Sequence, residues 1–473
     1  AKAIKVLPNY SILHKQDIFI TEKYEPDIRR DELSFLSRSF ERHFNERPYL
    51  HHTCYLFLTK TTKERSRQQS NWNTLCRGFL VPKEIRDKET VERFMEAVGQ
   101  FESIVNDSGL VKLERLTTEE ITGTESEPGI IERYLTLSAD GSRMLQDMQL
   151  NPDEMRIGDK RLCLHTLSDL DDLPGKVRTD GRYERLSTDR SDCRLSHAAP
   201  VGVMLPCDHI YNQWIFIDDS NENLSRFEKA AKNMQSLSRY SRSNQINKEW
   251  LDEYLNEAHS NGLQSIRCHC NIIAWAENGE ELRRVKNDVG SALALMECTP
   301  HHNTTDLPAV YWAGIPGNEA DFPSEETFYT FTGQALCFFT AETCYRNSLS
   351  PFGIRMVDRL TGKPVFLDIS DLPMKKGVVT NRNKFILGPS GSGKSFFTNH
   401  LVRQYWEQGT HILLVDTGNS YKGLCDLIHQ KTGGDDGIYF TYKEDDPISF
   451  NPFFTEDYQY DIEKRDSIKT LIL

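Results

Sequence analysis

The sequence predicts an α/β protein in which mixed α+β segments precede a final α/β domain. Strand-like apolar runs alternate with amphipathic helical stretches through roughly the first three quarters of the chain. A glycine-rich stretch further on separates a strand-like run from a helix-like run. A chain of 473 residues is also too long for one hydrophobic core. We therefore expect three domains, at 1–200, 201–350 and 351–473.

Alternating patterns define the domain at 1–200. They predict strands at 17–24 and 52–61, and helices at 31–44 and 88–109. From Asn151 onward the sequence becomes polar and rich in Asp, Arg and Gly. That composition predicts a long loop, or a junction between two lobes, which ends at about Pro200.

The domain at 201–350 repeats this kind of alternation. Its patterns predict two strands and four helices: the strands at 210–219 and 264–277, the helices at 221–241, 247–262, 279–296 and 324–339. The similarity to the first segment is one of pattern rather than of residues. We therefore expect two related α+β lobes.

The domain at 351–473 begins with a hairpin-like pattern around Thr361 and Gly362. A strand at 384–387 then leads through the glycine-rich stretch into a helix at 396–409, and a buried strand at 411–416 follows. Apolar residues at roughly helical spacing predict a last helix at the C-terminal end.

The glycine-rich stretch, GPSGSGKS at Gly388–Ser395, matches the pattern G-x-x-x-x-G-K-[ST] between a strand and a helix. Glycines let backbone N–H groups converge on phosphate oxygens, and the helix N-terminus adds partial positive charge. Lys394 would reach the β- and γ-phosphates of ATP, and Ser395 would place its hydroxyl on Mg²⁺, so these two are the predicted catalytic residues. The alternative, a glycine turn that merely connects a strand to a helix, would not explain why a lysine and a serine follow at the positions that the pattern requires. The predicted nucleotide-binding residues here are Gly388, Pro389, Ser390, Gly391, Ser392, Gly393, Lys394, Ser395 and Phe396.

Hydrolysis also requires an acidic residue that helps to hold the metal ion, and two strand ends offer one. Asp218 and Asp219 lie far upstream of the loop, so we interpret them as a strand end and a helix cap. Asp416 follows the loop helix directly, at the edge where α/β sheets bind ligands. It would either assist the metal or cap its own turn, and it joins the predicted nucleotide-binding residues.

Composition narrows the function further. A net charge of −13 opposes tight, sequence-independent wrapping of nucleic acid. The basic run KTTKERSR at 60–67 is either a solvated hairpin tip or a contact for a partner or nucleic acid. No window approaches the ~18 uninterrupted apolar residues that a membrane span needs. The 11 scattered cysteines favour a reducing compartment, and alternation of Cys268 and Cys270 with His269 predicts buried strand positions.

Several segments resemble TraG-type conjugation ATPases of conjugative transposons, which belong to the energising ATPase family of type IV secretion systems. These segments include the loop region 381–409, LLVDTGNSYKGLC at 413–425, ISFNPFF at 448–454, and upstream stretches such as NERPYLHHTCYLFLTKTTKER and STDRSDCRLSHAAPVGV. The resemblance implies an N-terminal region devoted to assembly and a RecA-like P-loop ATPase domain that binds ATP and Mg²⁺.

The resemblance also implies a cytoplasmic motor, peripheral on the inner membrane through type IV secretion components. Such a motor forms homo-oligomers and energises pilus assembly and conjugative DNA transfer, while direct DNA contact stays open. The family's Asp-x-Gly-x-Ser-Tyr element falls on Asp416, Gly418, Ser420 and Tyr421. In RecA-type domains an inserted strand separates the loop strand from the acid-bearing strand, which makes Asp416 a weaker candidate for the main metal ligand.

The sequence differs from the family in one respect: it lacks the later strand that ends in acidic residues and the arginine-bearing motifs of the motor. We therefore expect a chain trimmed at both ends, with a truncated ATPase domain that binds ATP with little or no turnover. Two alternatives remain: a non-catalytic nucleotide-binding scaffold, and a P-loop kinase or transferase. The kinase would need convergent basic residues near the loop, which the sequence does not show.

Overall fold

The computed structural model of the chain describes residues 1–24, 35–45, 47–63, 65, 87–138, 146–150, 154–177, 181–189, 192–237, 241–303, 305–445, 447, 453 and 462–472. The chain divides into two compact units: Ala1–Arg346 with Met356–Val365, and Asn347–Arg355 with Phe366–Leu473. The first unit is built on an antiparallel sheet with helices, and the second carries the glycine-rich stretch and its helix. The predicted α/β class is confirmed.

The first unit contains a nine-stranded sheet in which all described pairings are antiparallel. Its strands are β1 (Ser11–Lys23), β2 (Pro48–Lys60), β3 (Met148–Leu150), β4 (Met155–Ile157), β5 (Lys160–Leu167), β6 (His209–Ile217), β7 (Ser265–Ala276), β8 (His301–His302) and β9 (Phe328–Phe331). The spatial order is β2-β1-β6-β7-β5-β4-β3, with β8 paired to β5 and β9 paired to β7.

The helices of the first unit are α1 (Phe35–Asn45), α2 (Lys88–Asp107), α3 (Thr118–Thr122), α4 (Ile130–Thr136), α5 (Ser220–Leu237), α6 (Arg242–Asn261), α7 (Gly279–Leu295), α8 (Leu307–Ala313) and α9 (Thr332–Ala335). The second unit contains α10 (Asp371–Lys375), α11 (Lys394–Glu407), α12 (Lys422–Thr432) and α13 (Ile462–Ile472). Strands β10 (Ile354–Val357) and β11 (Pro364–Leu367) form the predicted hairpin, in which Gly362 takes the left-handed φ of +72°. Among the described residues, no helix combines the length and the apolar composition needed to span a bilayer.

Strands β6 and β7 are buried along their whole length because both faces of the sheet are covered. On one face, Cys268 and Cys270 pack in an apolar cluster with α7. On the other face, Ile273 and Trp275 pack in a second apolar cluster with α8. His269 also points to this second face, where its ring lies 4.7 Å from that of Phe322. The predicted buried strand positions of the two cysteines are confirmed.

The predicted split into lobes at 1–200 and 201–350 differs from what the structure shows. Strands β1 and β5 come from the first segment, yet they pair with β6 and β7 of the second. The strands of both segments therefore form one sheet within one compact unit. Sequence patterns report local periodicity, and they carry no information on which distant strands pair.

Two predictions of local structure are wrong. The polar segment predicted as a loop from residue 151 contains β4 and β5, and β5 is buried from Leu162 to Leu167. The helix predicted at 324–339 is instead strand β9 followed by the single turn of α9. Aromatic and β-branched residues fill β9, and they favour a strand once β7 offers an edge to pair with.

On the face of the sheet that α8 covers, polar side chains form two rows that cross β1, β6 and β7. His14 and Gln16 of β1 stand opposite Trp214 and Asn212 of β6. The His14 Nε2 atom lies 2.8 Å from Asn212 Oδ1, and Asn212 Nδ2 donates to Asn271 Oδ1 at 2.9 Å. The ring of His14 also stacks on Trp214 with 3.6 Å between centroids. These contacts connect β1, β6 and β7 through side chains as well as backbone.

Asp17 is a fully buried carboxylate on the opposite face of the sheet. Its Oδ1 lies 2.8 Å from His52 Nε2, and its Oδ2 accepts from Thr340 Oγ1 at 2.8 Å and from Gln213 Nε2 at 3.0 Å. Lys15 supplies the balancing charge through an ion pair. Burial alone would raise the pKa of Asp17, but His52 and Lys15 hold that pKa well below its usual value.

Asp218 and Asp219 have separate roles at the end of β6. The Asp218 carboxylate pairs with Arg267 through two bonds, Nε–Oδ2 at 2.7 Å and Nη2–Oδ1 at 3.2 Å, and both side chains are less than 10% exposed. Asp219 Oδ1 accepts from the N–H groups of Asn221 and Glu222 at the start of α5. The predicted helix cap is confirmed, whereas the sequence did not predict the buried ion pair.

Part of the basic run at 60–67 is paired within the chain. Lys63 Nζ lies 2.9 Å from Glu222 Oε2, and Arg65 Nη2 lies 2.6 Å from Asp321 Oδ1. Residues 64, 66 and 67 lie outside the described residues. Both alternatives for this run stay predictions.

Replacement of Asp218 by Ala should destabilise the first unit strongly, because it leaves the Arg267 guanidinium buried and unpaired. We expect a loss of about 3–5 kcal/mol in the free energy of unfolding. Asp219→Ala is the matched control, since it removes only a cap worth about 1 kcal/mol. Urea denaturation followed by intrinsic Trp fluorescence measures both, and equal losses in the two variants would contradict the role of the ion pair.

The stability of the first unit should fall as the pH decreases below about 6.5. Burial lowers the pKa of His14 from 6.5 to about 3, although the hydrogen bond with Asn212 acts in the opposite direction. Between these values the unfolded chain binds a proton that the folded chain excludes. The free energy of unfolding therefore decreases by up to about 1.4 kcal/mol per pH unit for this group.

Urea denaturation of the chain at several pH values between 7 and 4 measures that slope. His14→Phe keeps a ring stacked on Trp214 but cannot titrate, so its slope should be shallower. A slope that is the same in His14→Phe and the parent chain would count against this assignment.

Candidate functional site

Helix α11 carries the glycine-rich stretch at its N-terminus, and the side-chain amides of one buried and one exposed glutamine fix the helix within the second unit. Gln404 is 1% exposed, and its Oε1 accepts from the N–H of Arg355 at 2.6 Å. Gln408 both accepts from the N–H of Gly353 at 3.0 Å and donates to its carbonyl at 2.6 Å. Through these bonds, glutamine side chains at the C-terminal end of the helix hold the backbone of residues 353–355.

Two glycines shape the loop that precedes α11. Gly391 and Gly393 take left-handed φ values of +77° and +88°, which side chains with a Cβ disfavour. The N–H of Ser392 donates to the carbonyl of Pro389 at 3.2 Å and closes a tight turn. A Cβ at Gly388 would lie 2.5 Å from Ser392 Oγ, so the serine side chain would have to rotate away. The loop conformation therefore depends chiefly on Gly391 and Gly393.

Lys394 lies at the first position of α11, and its side chain folds back over the loop. The ammonium group donates to the carbonyl of Gly388, and to that of Pro389 at 3.0 Å. Lysine ammonium groups bind phosphate as compact point charges. The structure therefore places the predicted phosphate-binding cation inside the arc of the loop, held by two neutral acceptors.

The first turn of α11 presents backbone donors at the end of the loop. The first N–H groups of a helix have no acceptor within the helix, and Gly393 at the N-cap has no side chain that could accept from them. These groups belong to Lys394, Ser395 and Phe396. The Phe396 side chain is 83% exposed, so its contribution to an anion would come from the backbone.

Asp416 uses its carboxylate to order its own turn. Oδ1 accepts from the N–H of Gly418 at 3.0 Å, and Oδ2 accepts from the N–H groups of Ser420 and Tyr421. The hydrogen bond from Gly418, together with those from Ser420 and Tyr421, holds the pKa of Asp416 below its usual range. Of the two roles that the sequence left open, this geometry accounts for the cap.

Asn399 and Tyr421 join this turn to α11. Asn399 Nδ2 donates to the carbonyl of Ser395 at 2.7 Å and to that of Ser420 at 3.1 Å. The Tyr421 hydroxyl donates to Thr398 Oγ1 at 2.6 Å. The phosphate loop and the Asp416 turn are thus connected through the first turns of one helix. The sequence analysis did not single out Asn399. Its spacing of four residues from Ser395, which places both on the same face of a helix, is the signal that could have pointed to this contact.

The strands predicted at 384–387 and 411–416 are wrong for the described chain. Both segments lack strand pairing within the residues that the structure describes. Four apolar side chains of these segments are more than 80% exposed: Phe385, Leu387, Leu413 and Val415. A strand requires a neighbour to bond with, and apolar patterning alone does not supply one.

The loop residues fit a nucleotide with Mg²⁺. Lys394 and the first-turn N–H groups of α11 would hold phosphate oxygens, and the Ser395 hydroxyl is the metal ligand that this loop pattern provides. Among the described residues, no group of three or more His, Cys, Asp and Glu side chains is arranged to hold a metal ion. At this loop a divalent ion would take the Ser395 hydroxyl and phosphate oxygens as ligands, which is the set that the loop pattern provides.

Comparison with known proteins finds two similarities. Residues 353–473 match the TraG P-loop domain family. A stretch of 107 residues is 30% identical to Protein TraC of Escherichia coli (strain K12), and it covers 23% of this chain and 11% of TraC. The chain therefore matches about a tenth of the length of that relative. The predicted resemblance to TraG is confirmed for the P-loop domain.

Replacement of Gly393 by Ala should weaken nucleotide binding by roughly 5- to 30-fold, because alanine resists the left-handed conformation by about 1–2 kcal/mol. Gly433, which ends α12 with φ of +72°, is a matched control in the same unit. Gly433→Ala should lose similar stability without a change in affinity. Titration with a fluorescent ATP analogue measures binding. Equal affinities in both variants would contradict a role of the loop conformation in binding.

Proposed function

We propose that this chain is the ATP-binding motor subunit of a conjugative type IV secretion system. In the whole protein, hydrolysis of ATP would energise pilus assembly and conjugative DNA transfer. The observation that carries the proposal is the position of Lys394, held over a glycine-shaped loop at the start of α11, inside the region that matches the TraG P-loop domain. The similarity to Protein TraC supports the same family of proteins.

The residues of the loop have distinct roles in this proposal. Lys394 neutralises charge on the terminal phosphates, and backbone N–H groups of the loop and first turn orient them. Ser395 holds the metal through its hydroxyl. Bound MgATP supplies a phosphoanhydride bond whose cleavage releases free energy. Asp416 holds the turn that Asn399 and Tyr421 attach to the helix, so it positions rather than reacts.

Partners and location follow from the family resemblance. We propose that the protein is cytoplasmic and lies on the inner membrane through contacts with other components of the secretion system. We also propose that it works as a homo-oligomer. The antiparallel sheet unit, which contains none of the loop residues, would serve assembly.

A second candidate function is a nucleotide-binding scaffold without turnover. One observation favours it: both oxygens of Asp416 accept backbone hydrogen bonds that order its own turn. A metal ion would share the lone pairs of this carboxylate with those N–H groups and would compete with them for it. In this second proposal the chain binds ATP with little or no turnover.

Replacement of Lys394 by Ala should weaken binding of a fluorescent ATP analogue roughly 10- to 100-fold, the range expected for a lost charge-assisted hydrogen bond. Lys376→Ala, an exposed lysine of the same unit, is the control and should bind like the parent chain. Release of inorganic phosphate, measured on the whole protein with and without its secretion partners, separates the two functions. Turnover that Lys394→Ala abolishes supports the motor. Binding without any Lys394-dependent turnover, even with partners present, supports the scaffold.

A further inference from the structure

A pocket of about 380 Å³ lies in the first unit, and none of its lining belongs to the phosphate loop. That size is within the range of sites that bind small ligands or a few side chains. Four parts of the described chain contribute: Leu50 of β2, residues 183, 185 and 186, residues 203–206, and the turn at 359–361.

Residues 181–186 form one wall of the pocket, and hydrogen bonds to Cys193 and Leu195 fix its shape. The N–H of Tyr183 donates to the carbonyl of Cys193 at 2.8 Å, and the N–H of Leu195 donates to that of Gly181 at 3.0 Å. The wall is joined to the turn opposite, because Arg359 Nη2 donates to the carbonyl of Leu186 at 3.1 Å. The pocket is therefore preformed rather than a gap between loose loops.

The floor of the pocket is apolar. Val203 and Leu205 are 5% and 1% exposed, and they belong to the buried core of the unit. Leu50 and Leu360 are half-buried and add aliphatic surface at the sides. Such a floor favours a large apolar side chain, since the burial of one is worth about 1.5–3 kcal/mol.

Two arginines at the pocket have no ionic partner within the part of the chain that the structure describes. Arg185 and Arg359 are exposed, and neither forms an ion pair with a described carboxylate. The nearby Arg182 and Arg194, by contrast, both pair with Asp192. Two guanidinium groups without a described carboxylate partner therefore lie beside one apolar floor.

The acidic residues next to these arginines in sequence do not neutralise them. Glu184 lies 3.6 Å from Arg182, and the Asp358 carboxylate accepts from the N–H of Leu360. The single bond from Arg359 to Leu186 leaves the remaining donors of its guanidinium free for an incoming acceptor. The site therefore combines an apolar floor with two donors suited to carboxylate oxygens.

We propose that this pocket binds a segment of a partner protein in which a large apolar side chain is adjacent to carboxylates. The apolar side chain would occupy the floor, and the carboxylates would accept from Arg185 and Arg359. A nucleic acid fits less well, because its phosphates could use the arginines while the apolar floor stayed uncovered. This inference does not depend on the proposed ATP-driven function, since all of the residues lie in the first unit.

The test uses the full chain and a fluorescein-labelled peptide, Gly-Ser-Gly-Asp-Leu-Phe-Glu-Gly, with fluorescence polarisation as the readout. We expect saturable binding that weakens at least about tenfold when Leu-Phe is replaced by Ala-Ala, or when Asp and Glu are replaced by Asn and Gln. Arg185→Glu and Arg359→Glu should each weaken binding by a similar factor. Arg284→Glu, at a 74% exposed site on α7, is the matched control and should change affinity less than twofold.

Three results would overturn the proposal. The first is an absence of saturable binding by the peptide up to millimolar concentration. The second is equal affinity for the parent peptide and its Ala-Ala version, which would show that the floor is not used. The third is displacement of the peptide by a short single-stranded DNA that binds more tightly and depends on the same arginines. Circular dichroism of each variant confirms that a loss of binding is not a loss of fold.

Discussion

The buried carboxylate of Asp17 is the constraint on which the first unit depends. A charge removed from water costs several kcal/mol unless an opposite charge and hydrogen bonds compensate it. Its partners are therefore obligatory, and they come from separate parts of the chain: His52 on β2, Gln213 on β6 and Thr340 beyond β9. The pairing of β1 with its two neighbours and the course of the chain near residue 340 are consequently fixed together.

On the opposite face of the sheet, buried polar groups also need hydrogen-bond partners, and here the partners of His14 and Gln16 are all neutral. A shift of one residue between β1 and β6 would move His14 and Gln16 away from Asn212 and bury their polar atoms beside apolar side chains. Backbone pairing alone tolerates such a shift, but the amide and imidazole contacts do not. Buried polar groups thus specify the register of a sheet whose other residues are largely interchangeable apolar side chains.

The sequence predicted those elements whose signal is local. Strands β1, β2, β6 and β7 and most of the long helices carry a clear period, and the glycine loop carries its chemistry in eight consecutive residues. Strand β5 was missed because it lies within a largely polar segment, and its burial depends on β7, more than a hundred residues later. The single sheet was missed for the same reason. The role of Asp416 was left open because the choice depends on which N–H groups its oxygens reach, and this is a property of the folded turn.

The phosphate loop and the pocket of the first unit differ in how they hold their cations before a ligand arrives. Lys394 rests on the neutral carbonyls of Gly388 and Pro389, so a phosphate replaces weak acceptors with charged ones, and little desolvation remains to be done. The side chain is already inside the loop and need only exchange partners. Arg185 and Arg359 are instead exposed to water, so a ligand there must displace water from both guanidinium groups. Charge alone is therefore insufficient at the pocket, and its apolar floor has to contribute a substantial share of the binding free energy.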